Sequence, residues 1–197
     1  MFSAVARRVL LIAVLCAPQA AFAEALPNEL MPVIDGQPYG NINVVTGQAG
    51  IRTINYFRVE ETPTDWTRKG TYTRVRSEST GDDPKKVAAQ LIGALHKVAP
   101  NTEYNLTGSK DGKTYMLDFA YLNPGTGQVE LSMYRLEGAG KGKGVYSVSF
   151  VMKVPFSTET QEQSVKQLTH LRGVTLNILS KYDMDTVRDI LDSLAVQ

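Results

Sequence analysis

The chain has 197 residues, of which 43% are hydrophobic and 21% charged, and it contains 16 glycines, 9 prolines and a single cysteine. This composition excludes a collagen, a long coiled coil, a polar disordered chain and a disulfide-linked miniprotein. The formal net charge of +1 provides no global field that would attract nucleic acid.

The N-terminal residues have the pattern of a removable export signal. Arg7 and Arg8 form a short positive region, residues 9–16 form an apolar run, and small residues precede a cleavage point after Ala23. The run is shorter than the roughly 20 residues that span a bilayer, which disfavours a retained transmembrane anchor. Residues 1–23 are therefore predicted to be cleaved, and the protein is predicted to be periplasmic.

The single cysteine, Cys16, falls inside this signal. Lipid attachment there is disfavoured because Leu15 stands where a lipoprotein signal requires a small residue. Cleavage would leave the mature chain without a thiol, which excludes disulfides, cysteine nucleophiles and thiolate metal sites. A chain without cysteines suits an oxidising bacterial periplasm.

The next segment, residues 24–50, is predicted to be a mostly irregular lead-in. Prolines and glycines are frequent in it, and its apolar positions keep neither a period of two nor a period of 3.6. One short strand is expected over residues 42–45. A strand is predicted over residues 51–60, where β-branched and aromatic residues are dense, and a further strand or pair of strands follows Pro63 and reaches Ser77.

A helix is predicted next, with clear signals at both ends. Asp83 suits the N-cap, Pro84 suits the first helical position, and Pro100 stops the helix. The apolar residues recur along one face at helical spacing: Val87, Leu91, Leu95 and Val98.

Four strands and two further helices complete the predicted order. The strands are expected over residues 103–109, 113–122, 128–137 and 145–154, and Asp111-Gly112 between the first two is a hairpin signal. A long helix, with Thr158 and Gln161 at capping-box spacing, is expected to run to about Ser180. Asp183 or Asp185 is expected to cap the last helix.

This order predicts an α+β domain over residues 51–197. Its antiparallel sheet would consist of a four-strand meander plus one to three N-terminal strands, packed against amphipathic helices as a two-layer sandwich. Over residues 51–194 the succession of elements resembles that of small PsbP/Mog1-like α+β domains. The resemblance implies a binding or assembly-accessory role more than catalysis.

Side chains suited to catalysis or metal binding do not form a recognisable motif. His96 and His170 have no neighbour at zinc-ligand spacing, so neither a catalytic site, a metal site nor a cofactor is expected. Asp118 and Glu130 on neighbouring predicted strands could form a hydrolytic carboxylate pair, but such acids more often lie on a solvated face. Asp183 and Asp185 are interpreted as helix-capping residues and not as part of a calcium loop.

The glycine-lysine segment over residues 138–144 does not match a phosphate-binding loop. Neither Lys141 nor Lys143 precedes a hydroxyl residue, and the segment leads into a strand and not a helix. We expect a flexible hairpin tip, whose two lysines could make weak contacts with anionic headgroups or an acidic partner.

One cluster of arginine and aromatic residues points to a binding surface, since both residue types are enriched at interaction hot spots. The competing interpretation is an edge strand kept soluble by its charges, with Trp66 in the core. The predicted partner-binding residues are Arg52, Tyr56, Arg58, Trp66, Arg68, Tyr72, Arg74 and Arg76.

Together these patterns predict an exported, non-enzymatic binding protein with a protein partner in the cell envelope, of an accessory, inhibitor or immunity type. Two alternatives remain open. One is a small-ligand carrier, with its ligand between the sheet and the long C-terminal helix. The other is a cofactor-free periplasmic hydrolase whose catalytic groups only the fold brings together.

Overall fold

The computed structural model describes residues 33–34, 37–46, 50–123, 125–157, 159 and 161–193, so the predicted export signal lies outside the described residues. The described part forms an eight-stranded sheet and three helices. The strands are β1 (Val33–Ile34), β2 (Gln37–Thr46), β3 (Ile51–Arg58), β4 (Arg68–Val75), β5 (Tyr104–Gly108), β6 (Thr114–Asn123), β7 (Gln128–Gly138) and β8 (Val145–Pro155). The helices are α1 (Pro84–Val98), α2 (Gln161–Ser180) and α3 (Met184–Ser193).

The sheet joins two meanders. Its strand order is β1-β2-β3-β4-β8-β7-β6-β5, and every neighbouring pair is antiparallel. The predicted α+β class and the four-strand C-terminal meander are confirmed. The described residues contain four N-terminal strands, and β4 pairs with β8 at the centre of the sheet.

The N-terminal half is more regular than its sequence pattern suggests. The described strand β2 spans ten residues, from Gln37 to Thr46, where only a short strand over residues 42–45 was expected. Pairing with β3 holds this segment, and Ile42 and Val44 pack against the core, so tertiary contacts decide its conformation over weak local propensity. Likewise β4 is one uninterrupted strand, because both β3 and β8 pair with it.

The main core lies between the sheet and the two C-terminal helices. Side chains that alternate along β3, β4, β7 and β8 meet α3 and the C-terminal half of α2. We call this side of the sheet the α2–α3 face. Its members include Ile54, Tyr56, Tyr72, Met133, Phe150, Leu179, Val187 and Leu191, each no more than 2% exposed.

The opposite side of the sheet carries α1, so the helices are divided between both faces. Val87 and Ala88 of α1 pack against Val75, Leu136 and Val145, and these strand residues alternate with those of the main core. We call this side the α1 face. Because α1 packs on β6 and β7, it covers only part of the face.

The predicted helix caps are confirmed where the structure describes them. The Asp83 carboxylate accepts a hydrogen bond from the backbone N–H of Lys85 at 2.9 Å, and that of Asp183 accepts one from Asp185 N–H at 3.0 Å. Thr158, the expected cap of α2, lies outside the described residues. Among the helices of the described part, none has the apolar length that crossing a membrane requires.

Arg135 of β7 fixes the corner between α2 and α3. Its Nη1 donates to the carbonyl oxygens of Leu179, Ser180 and Tyr182 at 3.2, 3.1 and 3.0 Å. Its Nη2 forms a 3.0 Å ion pair with Glu137. Helix C-termini leave carbonyl groups without intrahelical partners, and a guanidinium group satisfies several of them at once. This contact places α3 on the sheet.

Candidate partner-binding surface

The structure does not gather the eight predicted partner-binding residues into one exposed patch. Tyr56 and Tyr72 are at most 2% exposed and belong to the core beneath α3. Arg58 and Arg68 are half-buried, and burial lowers the pKa of Arg68. Arg76 is exposed just beyond the end of β4. The residues are close in sequence, but the pleat and helix packing give them different surroundings.

Two of the predicted residues hold α3 in place. Arg52 Nη1 donates to the carbonyl oxygen of Leu191 at 2.9 Å. Arg74 Nη1 forms a 2.9 Å ion pair with Asp192, which also accepts a 2.7 Å hydrogen bond from the Tyr146 hydroxyl. The Arg74 guanidinium lies 5.4 Å from the centroid of the Tyr146 ring. These arginines are therefore engaged within the fold.

Trp66 has a different environment. Its half-buried ring packs beside Phe57, with 6.4 Å between the ring centroids. The Lys153 ammonium lies 3.8 Å from the centroid of the Trp66 ring, and the Lys69 ammonium lies 4.7 Å from it. We call Phe57, Trp66, Lys69 and Lys153 the Trp66 cluster. It combines an aromatic ring with two positive charges on the α1 face, at the end remote from α1.

The loop that carries Trp66 is fixed by the carboxylate of Glu61. This carboxylate accepts hydrogen bonds from the backbone N–H groups of Thr67 at 3.0 Å and Arg68 at 3.3 Å. Thr62 and Asp65 exchange backbone hydrogen bonds of 2.9 and 3.2 Å, which close the turn. These contacts fix the backbone on both sides of Trp66, and a preorganised loop lowers the entropic cost of binding.

The two lysines of the cluster come from neighbouring strands. Lys69 of β4 is paired with Val151 of β8, so Lys153 lies two positions along on the same face. Hydroxyl and amide side chains continue this face, with Thr71 donating to the amide oxygen of Asn55 at 3.1 Å. A surface of this kind suits a partner that brings carboxylate groups to the lysines and apolar area to the ring.

Sequence reasoning found Trp66, with Lys69 in the same stretch of residues 52–76, and missed Lys153. Lys69 lies within β4. Lys153 is the single charged residue of β8, and a charge within an otherwise uncharged strand was the available signal. Their meeting depends on the β4–β8 pairing, which joins segments far apart in the chain.

The carboxylate pair considered from the sequence does not form. In the register of β6 and β7, Asp118 lies opposite Met133 on the α2–α3 face, whereas Glu130 lies opposite Tyr121 on the α1 face. Asp118 instead forms an ion pair with Arg172 of α2 and accepts a 3.1 Å hydrogen bond from the Asn105 side chain. Glu130 accepts from the Tyr121 hydroxyl at 3.0 Å. The two acids are therefore separated by the sheet.

The two histidines are also kept apart. His96 is on α1 and His170 is on α2, which pack on opposite faces of the sheet. His96 Nε2 lies 3.2 Å from the carbonyl oxygen of Thr102. Among the described residues there is no group of three or more His, Cys, Asp or Glu side chains that could hold a metal ion.

The glycine-lysine loop is held in place by the carboxylate of Asp82. One carboxylate oxygen accepts from Gly142 N–H and the other from Gly144 N–H, each at 2.7 Å. Gly142 and Gly144 have φ angles of 73° and 89°, which let their amides point toward a single anion. The amides that a phosphate would need are therefore occupied by the protein's own carboxylate, and the loop is more constrained than the flexible tip expected. Lys141 and Lys143 remain exposed.

A small pocket lies beside α2, in the region where the carrier interpretation places a ligand. Tyr39, Phe150, Met152, Leu171 and Thr175 are among its lining residues, and its volume is about 20 Å³. A cavity of this size accommodates about one water molecule. A bound metabolite would require α2 to move away from the sheet.

Comparisons with known proteins give a family and a distant structural likeness. A family model matches residues 33–184, more than half of the chain. A search of curated proteins returned no match. Matching solved structures include the Ran-binding protein Mog1p of Saccharomyces cerevisiae, which is 12% identical with a TM-score of 0.38, the match covering 70% of this chain and 93% of that chain.

A mutant of protein Mog1 also matches, with 12% identity, a TM-score of 0.38, and coverage of 70% of this chain and 94% of that chain. The faint resemblance to Mog1-like domains that was expected from the order of elements is borne out at this level. A structural match at 12% sequence identity bears on the fold alone.

Proposed function

The chain belongs to the family whose model matches residues 33–184, and we propose that it is an exported, non-enzymatic binding protein of the cell envelope. It would act as an accessory, inhibitor or immunity-type factor. The partner is a protein that presents carboxylate groups to the Trp66 cluster.

The observation that carries this proposal is the position of two lysine ammoniums, 3.8 and 4.7 Å from the centroid of one tryptophan ring. The half-buried ring offers apolar area, and Lys69 and Lys153 are both half-buried beside it. Partly desolvated ammonium groups interact more strongly with a carboxylate than fully hydrated ones do. Tryptophan is also among the residues that contribute most at protein interfaces.

The first test is site-specific cross-linking in envelope extracts. A photoreactive residue replaces Thr64, which is exposed in the Trp66 loop. A matched chain carries the same residue at Gln163, which is exposed on α2. We expect one discrete cross-linked product from the Thr64 position alone. We expect Trp66→Ala to weaken binding about 30-fold, as at an interface hot spot, and Lys153→Gln to lower the cross-linking yield as well.

The control for charge is Lys166→Gln, which removes an exposed lysine from α2 and should leave the yield unchanged. Equal labelling from Thr64 and Gln163 would contradict the proposal. A cross-linking yield that neither Trp66→Ala nor Lys153→Gln changes would also contradict it. So would hydrolysis of a cell-wall or ester substrate by the purified protein at an enzymatic rate.

Export is tested separately by expressing the full chain in a bacterial host and fractionating the cells. The charged, apolar and small-residue regions of residues 1–23 support cleavage after Ala23. We expect the periplasmic fraction to contain a protein whose N-terminal residue is Glu24. A protein that stays in the cytoplasm with its N-terminus intact would show that the periplasmic assignment is wrong.

A further inference from the structure

The strand β5 forms one edge of the sheet that the described residues build. It pairs with β6, and no strand in the described part of the chain pairs with its other side. Tyr104 is 42% exposed, and Asn105, Thr107 and Gly108 are exposed as well. The opposite edge is different, because β1 is only two residues long.

The hydrogen bonding of β5 shows which backbone groups face outward. Ser109 N–H donates to the carbonyl oxygen of Thr114 at 2.8 Å, which makes these two residues a hydrogen-bonded pair. Hydrogen-bonded and non-hydrogen-bonded pairs alternate along an antiparallel ladder. The N–H and C=O groups of Tyr104, Leu106 and Gly108 therefore point away from β6, toward the space beyond the edge.

Natural proteins usually protect such an edge with a charge, a proline, a bulge or a covering element. The five residues of β5 are Tyr-Asn-Leu-Thr-Gly, and they include neither a charged residue nor a proline. The pairing of β5 with β6 shows no register shift, so a bulge does not interrupt it. The strand is consequently competent to accept another strand.

We propose that β5 of one molecule pairs antiparallel with β5 of a second copy, so that the two sheets become continuous across a twofold axis at Leu106. In this register each Tyr104 lies opposite Gly108 of the other copy. The Tyr115 ring lies over Gly108 so closely that a Cβ there would come within 2.7 Å of it. The Tyr104 ring packs 5.8 Å from His96 in its own copy, and no side chain at Gly108 separates it from the Tyr115 ring of the other copy. Aromatic pairs across strands are stabilising.

The charges at the ends of β5 favour this antiparallel arrangement of two copies. Glu103 precedes the strand and Lys110 follows it, and both are exposed. Antiparallel pairing places Glu103 of each copy next to the Ser109-Lys110 end of the other. Opposite charges therefore lie near each other at both ends of the interface, whereas parallel pairing would bring like charges near each other.

The interface is small, so the dimer is weak. Two five-residue strands exchange about six backbone hydrogen bonds and cover less than the roughly 1,200 Å² typical of stable complexes. We expect a dissociation constant on the order of 100 μM, within the range of weak and transient association. This surface is separate from the Trp66 cluster, since β8, β7 and β6 lie between β4 and β5.

The test is sedimentation equilibrium of the purified protein at low salt, up to roughly ten times that dissociation constant. Glu103→Lys and Lys110→Glu each place like charges at both ends of the homodimer. Each variant should therefore weaken self-association by about three- to tenfold, an effect that salt screens. An equimolar mixture of the two variants should form a heterodimer tighter than either homodimer, because opposite charges then meet at both ends.

A second variant tests the strand pairing itself. Leu106→Pro removes an N–H that points away from β6, and proline is tolerated at such edge positions. It should abolish the dimer, while circular dichroism reports whether the monomer keeps its fold. A protein that stays monomeric throughout this range, or a dimer that responds to neither charge reversal nor mixing, overturns the proposal.

Discussion

Replacing Phe150 with alanine is expected to destabilise the protein by about 3–5 kcal/mol, the range found for buried phenylalanines. Phe150 is 2% exposed in β8, near the centre of the sheet, and its ring lies 6.0 Å from that of Tyr182. Removing the ring leaves a cavity that the surrounding strands cannot close. Urea unfolding and calorimetry measure the loss, which corresponds to a fall in Tm of about 6–20 °C for a domain of this size.

The matched control is Phe119→Ala on the α1 face. Phe119 is half-buried and stacks on Tyr134, with 5.9 Å between the ring centroids. Its partial exposure predicts a loss of roughly half that of the Phe150 variant, because less apolar area is buried. Equal losses for the two variants would show that the main core does not lie on the α2–α3 face.

Alkaline pH is expected to unfold the protein through its buried tyrosines. Burial raises the pKa of Tyr39 to about 12, and it raises the pKa values of Tyr56 and Tyr72 well above their ordinary range. Each of these three side chains is at most 2% exposed. The Tyr72 hydroxyl lies 2.5 Å from that of Tyr182, whose negative charge would further oppose ionisation of Tyr72.

The direction of the effect follows from proton binding. Above pH 10 the unfolded chain loses these three protons while the folded chain keeps them, so stability falls as pH rises. Below pH 10 the three buried tyrosines are protonated in both states, and their contribution to folding stability is fully retained. Each buried tyrosine lowers the free energy of unfolding by about 1.4 kcal/mol per pH unit until its folded pKa is reached. Three such tyrosines lower it by about 4 kcal/mol per pH unit. A stability of about 5 kcal/mol, the low end of the usual range, would then be exhausted slightly above pH 11, and a more stable protein would unfold at a correspondingly higher pH.

Tyrosinate absorbance and far-ultraviolet circular dichroism, recorded together against pH, measure this transition. We expect part of the tyrosine absorbance change to coincide with the loss of secondary structure. Tyr56→Phe provides a separate check, because within the described residues the Tyr56 hydroxyl is buried without a hydrogen-bond partner. This variant should keep or gain stability at pH 7 and unfold at higher pH. Tyrosine ionisation complete before any structural change would contradict the expectation.

The parts of the fold that the sequence predicts well are those whose signals are local. Strict alternation in β6, β7 and β8 marks three strands, and Asp83 with Pro84 marks the start of α1. The segment from Gln37 to Thr46 lacks such alternation, and its strand conformation depends on β3 lying beside it. Local strand propensity therefore predicts the C-terminal meander well and underestimates the extent of the strands in the N-terminal meander.

The candidate site was harder to predict because it depends on which strands are neighbours. The cluster of arginines and aromatic residues between Arg52 and Arg76 is contiguous in the chain. In the structure, however, Arg52 and Arg74 bind α3, and Tyr72 is buried in the core. Lys153 reaches Trp66 only because β8 pairs with β4. No pattern within residues 52–76 contains that information.

The pairing of β4 with β8 also has a consequence for the newly made chain. The two meanders are each built from neighbours in sequence, but the seam between them joins Val75 to Val145. Contacts between distant segments form slowly because the intervening chain must first be brought back on itself. Until the ribosome has released β8, the first meander has an exposed row of backbone groups along β4. Throughout that interval, a factor that shields β4 would protect the nascent chain from aggregation.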